Sequence, residues 1–439
     1  MLSMIGLVGG LILLIVLTMR GMNLLVAGPL CALVVALMSG MPLFPQLVEE
    51  GGSDFLTNYM DGFSSFITSW FPMFLLGAIF GKVMEDSGGA DSVSRWLVGK
   101  FGLKQAVLAI VLACAVLTYG GVSLFVVAFS VYPMALSLFK RADLPRRFIP
   151  AALAFGSVTF TMTSAGSPEI QNWIPIDYLG TTHYAGWEVS LIVAVFMAVL
   201  GYWWLKRMIN KAVAKGERFE ASEKDPVVEN RELPHPLMGL IPLLVVFVIS
   251  FIFHDELKTS ALIIALFGGI IATYLLNRKY FLNFGNAMSE GTVGALIAIG
   301  NTAAVVGFGG VAKAVPAFEV AVSAMTGIPG SPLIGGAIAV SVIAGLTGSS
   351  SGGQVIALPL LAPHYIELGV NTEALHRTLA ISSGALDSLP HNGYVVTTIR
   401  GVCGESHKDA YGAVGVVTVI VPLIGLVIAI ALFSLGLGV

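Results

Sequence analysis

Residues 161–172 read TMTSAGSPEIQN and interrupt an apolar run of helical length. Ser167 before Pro168 predicts that a helix restarts here, because Ser is a good N-cap and Pro lacks the amide hydrogen that the first helical position leaves unbonded. A second interruption, DSLPHNG at residues 387–393, follows another apolar run. Broken helices at membrane depth are tolerated only where the freed backbone is covered by protein or lines a wet cavity. These two stretches therefore predict a helical membrane protein with an internal polar site.

The composition around these stretches agrees with a membrane environment. Of 439 residues, 56% are hydrophobic and 11% are charged, whereas a soluble chain carries roughly 25% charged residues. The mean hydropathy is +0.88, and the apolar residues recur in blocks of about twenty, the length of a membrane-spanning helix. We expect an all-α polytopic protein of the cell (inner) membrane with about 11–14 membrane segments.

Charge and cysteine usage exclude other classes of protein. The net charge of −3 leaves no basic surface for nucleic acid. The three cysteines lie far apart and the histidines show no ligand spacing, so we expect no metal, no cofactor and no disulfide framework. A Gly-Lys-Ser/Thr phosphate loop and a paired nucleophile and base are also missing from the sequence, which argues against an enzyme.

The chain divides into two halves of similar layout. Each half has a crossing helix, a short amphipathic segment, a pair of helices broken by Gly and Thr, and a second broken segment. Lys and Arg in the short loops predict that equivalent parts of the halves enter from opposite sides of the membrane. We therefore predict two inverted repeats with re-entrant hairpins and an elevator-type movement, in a first half at 1–205, a charged cytoplasmic linker at 206–235 and a second half at 236–439.

Hydroxyl groups, glycines and amides cluster at the four breaks, which are the expected central site of a transporter with inverted repeats. Helix N-termini there would suit a carboxylate. The alternatives are a capped helix kink and simple close packing of small residues. The candidate substrate-binding residues are Thr118, Gly120, Gly121, Ser123, Thr163, Ser164, Gly166, Ser167, Ser349, Ser350, Ser351, Gln354, His391 and Asn392.

Ionisable side chains at membrane depth are costly and are retained mainly when they are paired, hydrated or functional. Asp387, Glu169 and His391 are therefore the candidates for proton coupling. Asp387 and Glu169 could instead cap or complement a helix end, and His391 could be a packed histidine. A sodium site at the loops 118–123 and 347–353 is the competing coupling mechanism.

The same residues resemble the gluconate permease (GntP) family of the larger ion-transporter superfamily. The resemblance lies in Gly120-Gly121-Val122-Ser123, Tyr132-Pro133, Phe148-Ile149-Pro150-Ala151 and the breaks at 161–172 and 387–393. It implies a cation-coupled importer of small carboxylates that forms homodimers in membrane lipid. Residues 161–168 differ from the polar signature expected of gluconate-type members, which favours shorter acids such as 3-hydroxybutyrate.

From these observations we expect a proton symporter that imports a small hydroxycarboxylate. Sodium coupling, and gluconate as the substrate, remain open alternatives. A passive channel would conduct without accumulating solute, and the paired breaks favour a transporter over it.

Overall fold

A computed structural model describes residues 2–20, 22–48, 52–102, 105–222, 232–257, 259–326, 331–390 and 392–438. The described residues form helices and no strand, which confirms the all-α class. Six helices, α3, α9, α10, α11, α12 and α18 below, are long and apolar enough to cross a membrane alone. The helices are α1 (Leu2–Met19), α2 (Leu24–Met38), α3 (Phe55–Asp86), α4 (Gly89–Phe101), α5 (Ala106–Tyr119), α6 (Leu124–Arg141), α7 (Ile149–Ala154), α8 (Ile174–Leu179), α9 (Trp187–Ala214), α10 (Pro236–Leu257), α11 (Thr259–Asn277), α12 (Phe284–Lys313), α13 (Pro316–Thr326), α14 (Pro332–Thr347), α15 (Ser350–Glu367), α16 (Thr372–Ser383), α17 (Gly393–Val396) and α18 (His407–Ser434).

Local sequence explains where several of these helices begin and end. Asp54 caps α3 by accepting a hydrogen bond from the Thr57 amide at 2.9 Å, and Asn371 caps α16 in the same way. Such side chains satisfy amide groups that have no partner inside the helix. Gly348 ends α14 with φ at +61°, a left-handed conformation that glycine adopts without steric cost.

Helices α3 and α12 pack against each other in antiparallel orientation along most of their length. Glycines allow this close approach: Gly62 of α3 faces Val306, Gly310 faces Asn58, and Gly291 faces Ile79. The two helices therefore cross the membrane in opposite directions.

The order of elements after α3 is repeated after α12. Each helix is followed by a short helix (α4 or α13) and by a helical hairpin, which we call hairpin 1 (α5–α6) and hairpin 2 (α14–α15). A broken segment comes next, interrupted at residues 160–173 (break 1) or at the described residues 384–390 and 392 (break 2), and then a long helix (α9 or α18). Because α3 and α12 run in opposite directions, the two sets of elements are inverted relative to each other.

Most buried apolar side chains form one continuous core that includes both hairpins and both broken segments. A smaller core joins α1 and α2 to the start of α3 and the end of α12, where Leu14, Cys31 and Phe308 are buried. The opening helix pair therefore packs mainly on the antiparallel α3–α12 pair, and α1 also contacts α13 and α14.

Helix α9 continues through Ala214, into the range 206–235 that the sequence predicts as a linker. Beyond α9, Glu217 accepts hydrogen bonds from Arg147 at 2.7 and 3.0 Å. The Arg147 guanidinium lowers the pKa of the Glu217 carboxyl. This pair joins the end of α9 to the basic loop before α7, so both lie at the same face of the membrane, which the positive-inside bias assigns to the cytoplasm.

Candidate functional site

The two hairpin ends and the two breaks meet at a single cavity of about 360 Å³. Each of the four elements therefore contributes polar groups to one space, as expected for a site between inverted repeats. The lining residues that the sequence singled out for substrate or proton binding are Gly121, Ser123, Glu169, Ser349, Ser350, Ser351, Asp387 and Asn392.

Hydrogen bonds within and between the halves hold these elements together. The Gln171 side-chain amide donates to the Ser350 hydroxyl at 2.7 Å, and the Gln354 amide donates to the Gln171 carbonyl at 2.9 Å. Asn392 in break 2 donates to the Gly348 carbonyl at the end of α14, also at 2.9 Å. Break 1 is thus bonded to hairpin 2, so the cavity wall contains both repeats.

Two helices begin at the cavity with a side-chain cap. Ser349 accepts a hydrogen bond from the Gly352 amide at 3.1 Å at the start of α15. Asn392 accepts one from the Val395 amide at 2.9 Å at the start of α17. Small capping residues at these positions leave room for a ligand close to the backbone.

The predicted helix start at Ser167 and Pro168 is wrong. Both residues lie in the irregular loop of break 1, which continues as a short 3-10 turn at Ile170–Asn172, and α8 begins only at Ile174. The Asn172 side chain donates to the carbonyls of Met162 and Ser167, which holds the loop folded back. These hydrogen bonds from a side chain to the backbone compete with the helical hydrogen bonds that Ser167 and Pro168 would otherwise favour.

Arg377 on α16 is the main functional candidate that sequence reasoning missed. Its side chain is completely buried and donates to the carbonyls of Thr163 at 2.6 Å, Ala185 at 3.0 Å and His183 at 3.1 Å. It also donates to the Asn172 side-chain oxygen at 2.6 Å. A single guanidinium of the second half thus joins break 1 to the loop before α9, because its planar fork of donors can serve several acceptors together.

Two carboxyl groups, Glu169 and Asp387, face the cavity from the two breaks. Asp387 is 5% exposed and accepts a hydrogen bond from the Ser388 hydroxyl at 2.9 Å. Within the described part of the chain, the Glu169 carboxylate accepts no hydrogen bond and forms no ion pair. The described lining residues include no Lys, Arg or His, so negative charge on these acids would be opposed mainly by hydroxyl and amide dipoles.

Several predicted residues lie just behind the cavity wall. The Thr163 carbonyl is bonded to Arg377, and the Ser164 hydroxyl donates to the Phe160 carbonyl at 2.6 Å. Gly120 packs against Leu243 of α10. Ser164 lines a separate cavity beside α9, and the remaining members of this group, Thr118, Gly166, Ser167 and Gln354, lie outside the lining of the cavity between the breaks.

His391, predicted for both substrate and proton binding, lies outside the described residues. The cavity wall also includes Asn301 and Thr302 of α12, and of these two Asn301, between Gly300 and Thr302, is a weaker candidate from the sequence. The side-chain oxygens of Asn301 and Gln171 are buried without a hydrogen-bond partner in the described structure. Such atoms normally find a partner, which makes them available to a ligand or ion. In the sequence, Asn301 is recognisable only as a single amide side chain within an apolar, glycine-rich helix.

Comparison with known proteins supports a transport role for this architecture. A family model described as "GntP family permease" matches residues 2–436. An uncharacterized transporter of Bacillus subtilis (strain 168), YxjC, is 35% identical over 449 residues, covering 91% of this chain and 92% of that protein. The high-affinity gluconate transporter of Escherichia coli (strain K12) is 31% identical over 147 residues, 33% of this chain and 31% of its own length.

A solved structure shares the fold. The crystal structure of the YdaH transporter of Alcanivorax borkumensis, described as having an unusual topology, matches with a TM-score of 0.57. The match covers 94% of this chain and 98% of the YdaH chain at 14% sequence identity. At this identity the likeness concerns the fold alone.

Proposed function

We propose proton-coupled import of a small hydroxycarboxylate by this chain, which belongs to the GntP family of permeases. It is a multi-pass cell-membrane protein. The observation that carries the proposal is that Glu169 and Asp387, one from each repeat, face the same cavity among hydroxyl and amide groups.

The charges around the cavity favour protons as the coupling ion. A substrate carboxylate beside two ionised carboxylates would be repelled, and burial makes that repulsion stronger than in water. Protonation of Glu169 or Asp387 removes one negative charge and supplies an O–H donor for the substrate carboxylate. Substrate and proton therefore bind favourably together, and loss of the proton on the cytoplasmic side would favour substrate release.

The size and lining of the cavity suit a small hydroxy acid. Its volume of about 360 Å³ is near the lower end of the range of roughly 300–1,000 Å³ for small-molecule sites. Ser349, Ser350 and Asn392 offer donors and acceptors for a substrate hydroxyl group. A short acid such as 3-hydroxybutyrate is our preferred substrate, and gluconate, the substrate named for the Escherichia coli relative, is the alternative.

The test is uptake of labelled 3-hydroxybutyrate and gluconate by proteoliposomes that contain the purified protein. We expect accumulation when an inward proton gradient is the only driving force. Asp387→Asn and Glu169→Gln are expected to lower gradient-driven accumulation at least tenfold, while Glu188→Gln, which changes an exposed acid at the start of α9, leaves it unchanged. Accumulation that survives both cavity substitutions would refute the coupling role of these acids.

Sodium coupling is the second candidate, and the unpartnered oxygens of Asn301 and Gln171 favour it. Neutral oxygens of this kind are suitable ligands for a hard cation. An absolute requirement for sodium at equal pH on both sides would select this mechanism. Failure to accumulate either acid under any gradient would remove the proposed substrate class and leave the family assignment intact.

We also propose that both hairpins move together against a frame formed by α3, α10, α11 and α12, in an elevator-type cycle. Glycines at the contact between α12 and α15 support this proposal. Gly309 of α12 faces Ile356 of α15, and Val305 of α12 faces Gly352 of α15. Close, largely apolar contacts of this kind carry few directional bonds to break during sliding. We further propose that the protein forms a homodimer, as the family resemblance implies.

A further inference from the structure

Helix α9 carries an exposed cationic cluster where it leaves the membrane. Its 28 residues span about 42 Å, more than the roughly 30 Å of a hydrocarbon core. Lys206, Arg207 and Lys211 therefore lie at the level of the cytoplasmic headgroups, and all three are exposed. The only acid in α9 is Glu188, near the opposite end. Among the described residues, none of the three cations forms an ion pair.

Aromatic side chains lie next to these cations and help to form a cavity. The Lys206 ammonium is 5.7 Å from the centre of the Tyr202 ring, and the Arg207 guanidinium carbon is 5.6 Å from the Trp203 ring. A cavity of about 910 Å³ lies between this part of α9 and Leu108 of α5. Tyr and Trp typically lie at the membrane–water interface, so the cavity opens where phosphate headgroups are found.

The cavity continues into an apolar groove along α9. A second cavity of about 900 Å³ also has Ala198 in its wall, and beyond it Val195, Leu191 and Phe247 of α10. The distance from Lys211 to Ala198 along the helix is about 20 Å. This length matches a headgroup and the acyl chain of one leaflet, since half of the hydrocarbon core is about 15 Å.

We propose that this groove binds an anionic glycerophospholipid of the cytoplasmic leaflet. Its phosphate lies among Lys206, Arg207 and Lys211, and one acyl chain follows α9 past Val199 to Ala198. Cations at the end of a helix also interact favourably with the helix dipole, but that role requires neither the aromatic side chains nor a groove. A second copy of the chain is a poorer occupant, because it would bring two such cationic clusters together without an acid nearby on either α9.

The test compares binding of phosphatidylglycerol and phosphatidylcholine with identical acyl chains to the purified full-length protein by native mass spectrometry. We expect at least tenfold tighter binding of phosphatidylglycerol. The double variant Arg207→Gln/Lys211→Gln should weaken it about 25-fold, since each cation near an anionic lipid contributes roughly a factor of five. Arg278→Gln/Lys279→Gln removes equal charge from the same membrane face at the end of α11 and should leave binding unchanged.

A second variant separates the groove from the charge. Ala198→Phe fills the groove below the cations and should weaken phosphatidylglycerol binding without changing net charge. Thermal unfolding in phosphatidylcholine nanodiscs verifies that each variant is folded. Equal binding of the two lipids, or full phosphatidylglycerol binding by both the charge and the groove variants, would overturn the proposal. Conversion of a dimer to a monomer by Ala198→Phe in the absence of phosphatidylglycerol would assign the groove to a second copy instead.

Discussion

Arg377 determines the conformation of break 1 although it belongs to the other half of the chain. Its guanidinium is completely buried and donates to three backbone carbonyls and to the Asn172 side chain. The Thr163 carbonyl lies in break 1 and the Ala185 and His183 carbonyls lie in the loop before α9, and the His183 carbonyl also accepts a hydrogen bond from the Gly166 amide. A buried acceptor that loses its donor retains the full cost of its desolvation.

Replacement of Arg377 by Met should therefore destabilise the protein severely. Four charge-assisted hydrogen bonds are lost and buried carbonyls remain unsatisfied, so we expect a loss of about 3 kcal/mol or more. The loss is measured as a decrease in the apparent melting temperature in detergent, monitored by fluorescence-detection size-exclusion chromatography. Arg218→Met is the control, because Arg218 is exposed and pairs with Asp143 at the surface, where ion pairs contribute about 0–1 kcal/mol. Equal melting temperatures for the two variants would contradict this role of Arg377.

The contacts of individual site residues were the least predictable feature of the protein from its sequence. Asp387 and Glu169 could be recognised because charge is rare at membrane depth, and both do line the cavity. Arg377 gave no comparable signal, since it follows the helix start at Thr372 closely enough to resemble an ordinary terminal charge. Its importance depends on a contact with residues more than 190 positions away, which no local pattern encodes.

Among the helices, glycines determine how closely α3 and α12 approach each other. A Cβ atom at Gly310 would lie 2.3 Å from the Asn58 carbonyl oxygen of α3. Backbone cannot move away as a flexible side chain can, so the helices would have to separate. A Cβ atom at Gly294, in the same helix, would meet nothing within 4 Å.

Gly310→Ala and Gly294→Ala should consequently have opposite effects. We expect Gly310→Ala to destabilise the protein by about 1–3 kcal/mol through overpacking, whereas Gly294→Ala should be neutral or stabilising, because alanine is the better helix former. Thermal unfolding of both variants in the same detergent measures the difference. A stable Gly310→Ala protein would show that the helices are less closely packed than described.

Helix positions were predictable from hydropathy, but helix lengths were not. Apolar windows predicted segments at 64–82 and 292–312, while α3 and α12 extend over Phe55–Asp86 and Phe284–Lys313. Their polar first turns bury a face against neighbouring helices, and tertiary packing overrides the hydropathy pattern there. The error at Ser167 and Pro168 has the opposite cause, since hydrogen bonds from Asn172 suppress a helix that local propensity favours.

For the molecule as a whole, α12 is the boundary between the proposed moving and fixed parts. It packs against α3 along its length and against α15 near the cavity. Val305 of α12 would lie 3.6 Å from a Cβ atom at Gly352 of hairpin 2. Within the frame, a Cβ atom at Gly268 of α11 would lie 3.4 Å from the Cγ1 atom of Val245 of α10. These two pairs differ in whether the proposed elevator movement separates them.

A disulfide across the first pair should stop transport, and one across the second pair should not. In Val305→Cys/Gly352→Cys the bond joins hairpin 2 to the frame, so we expect uptake to fall at least tenfold after oxidation and to recover after reduction. In the control Val245→Cys/Gly268→Cys the bond lies within the frame and uptake should persist. The native cysteines Cys31, Cys114 and Cys403 are buried and should not compete for oxidation. Undiminished uptake by the Val305→Cys/Gly352→Cys variant with its disulfide quantitatively formed would mean that hairpin 2 does not move relative to α12, because a covalent bond of about 2 Å permits no sliding between its two helices.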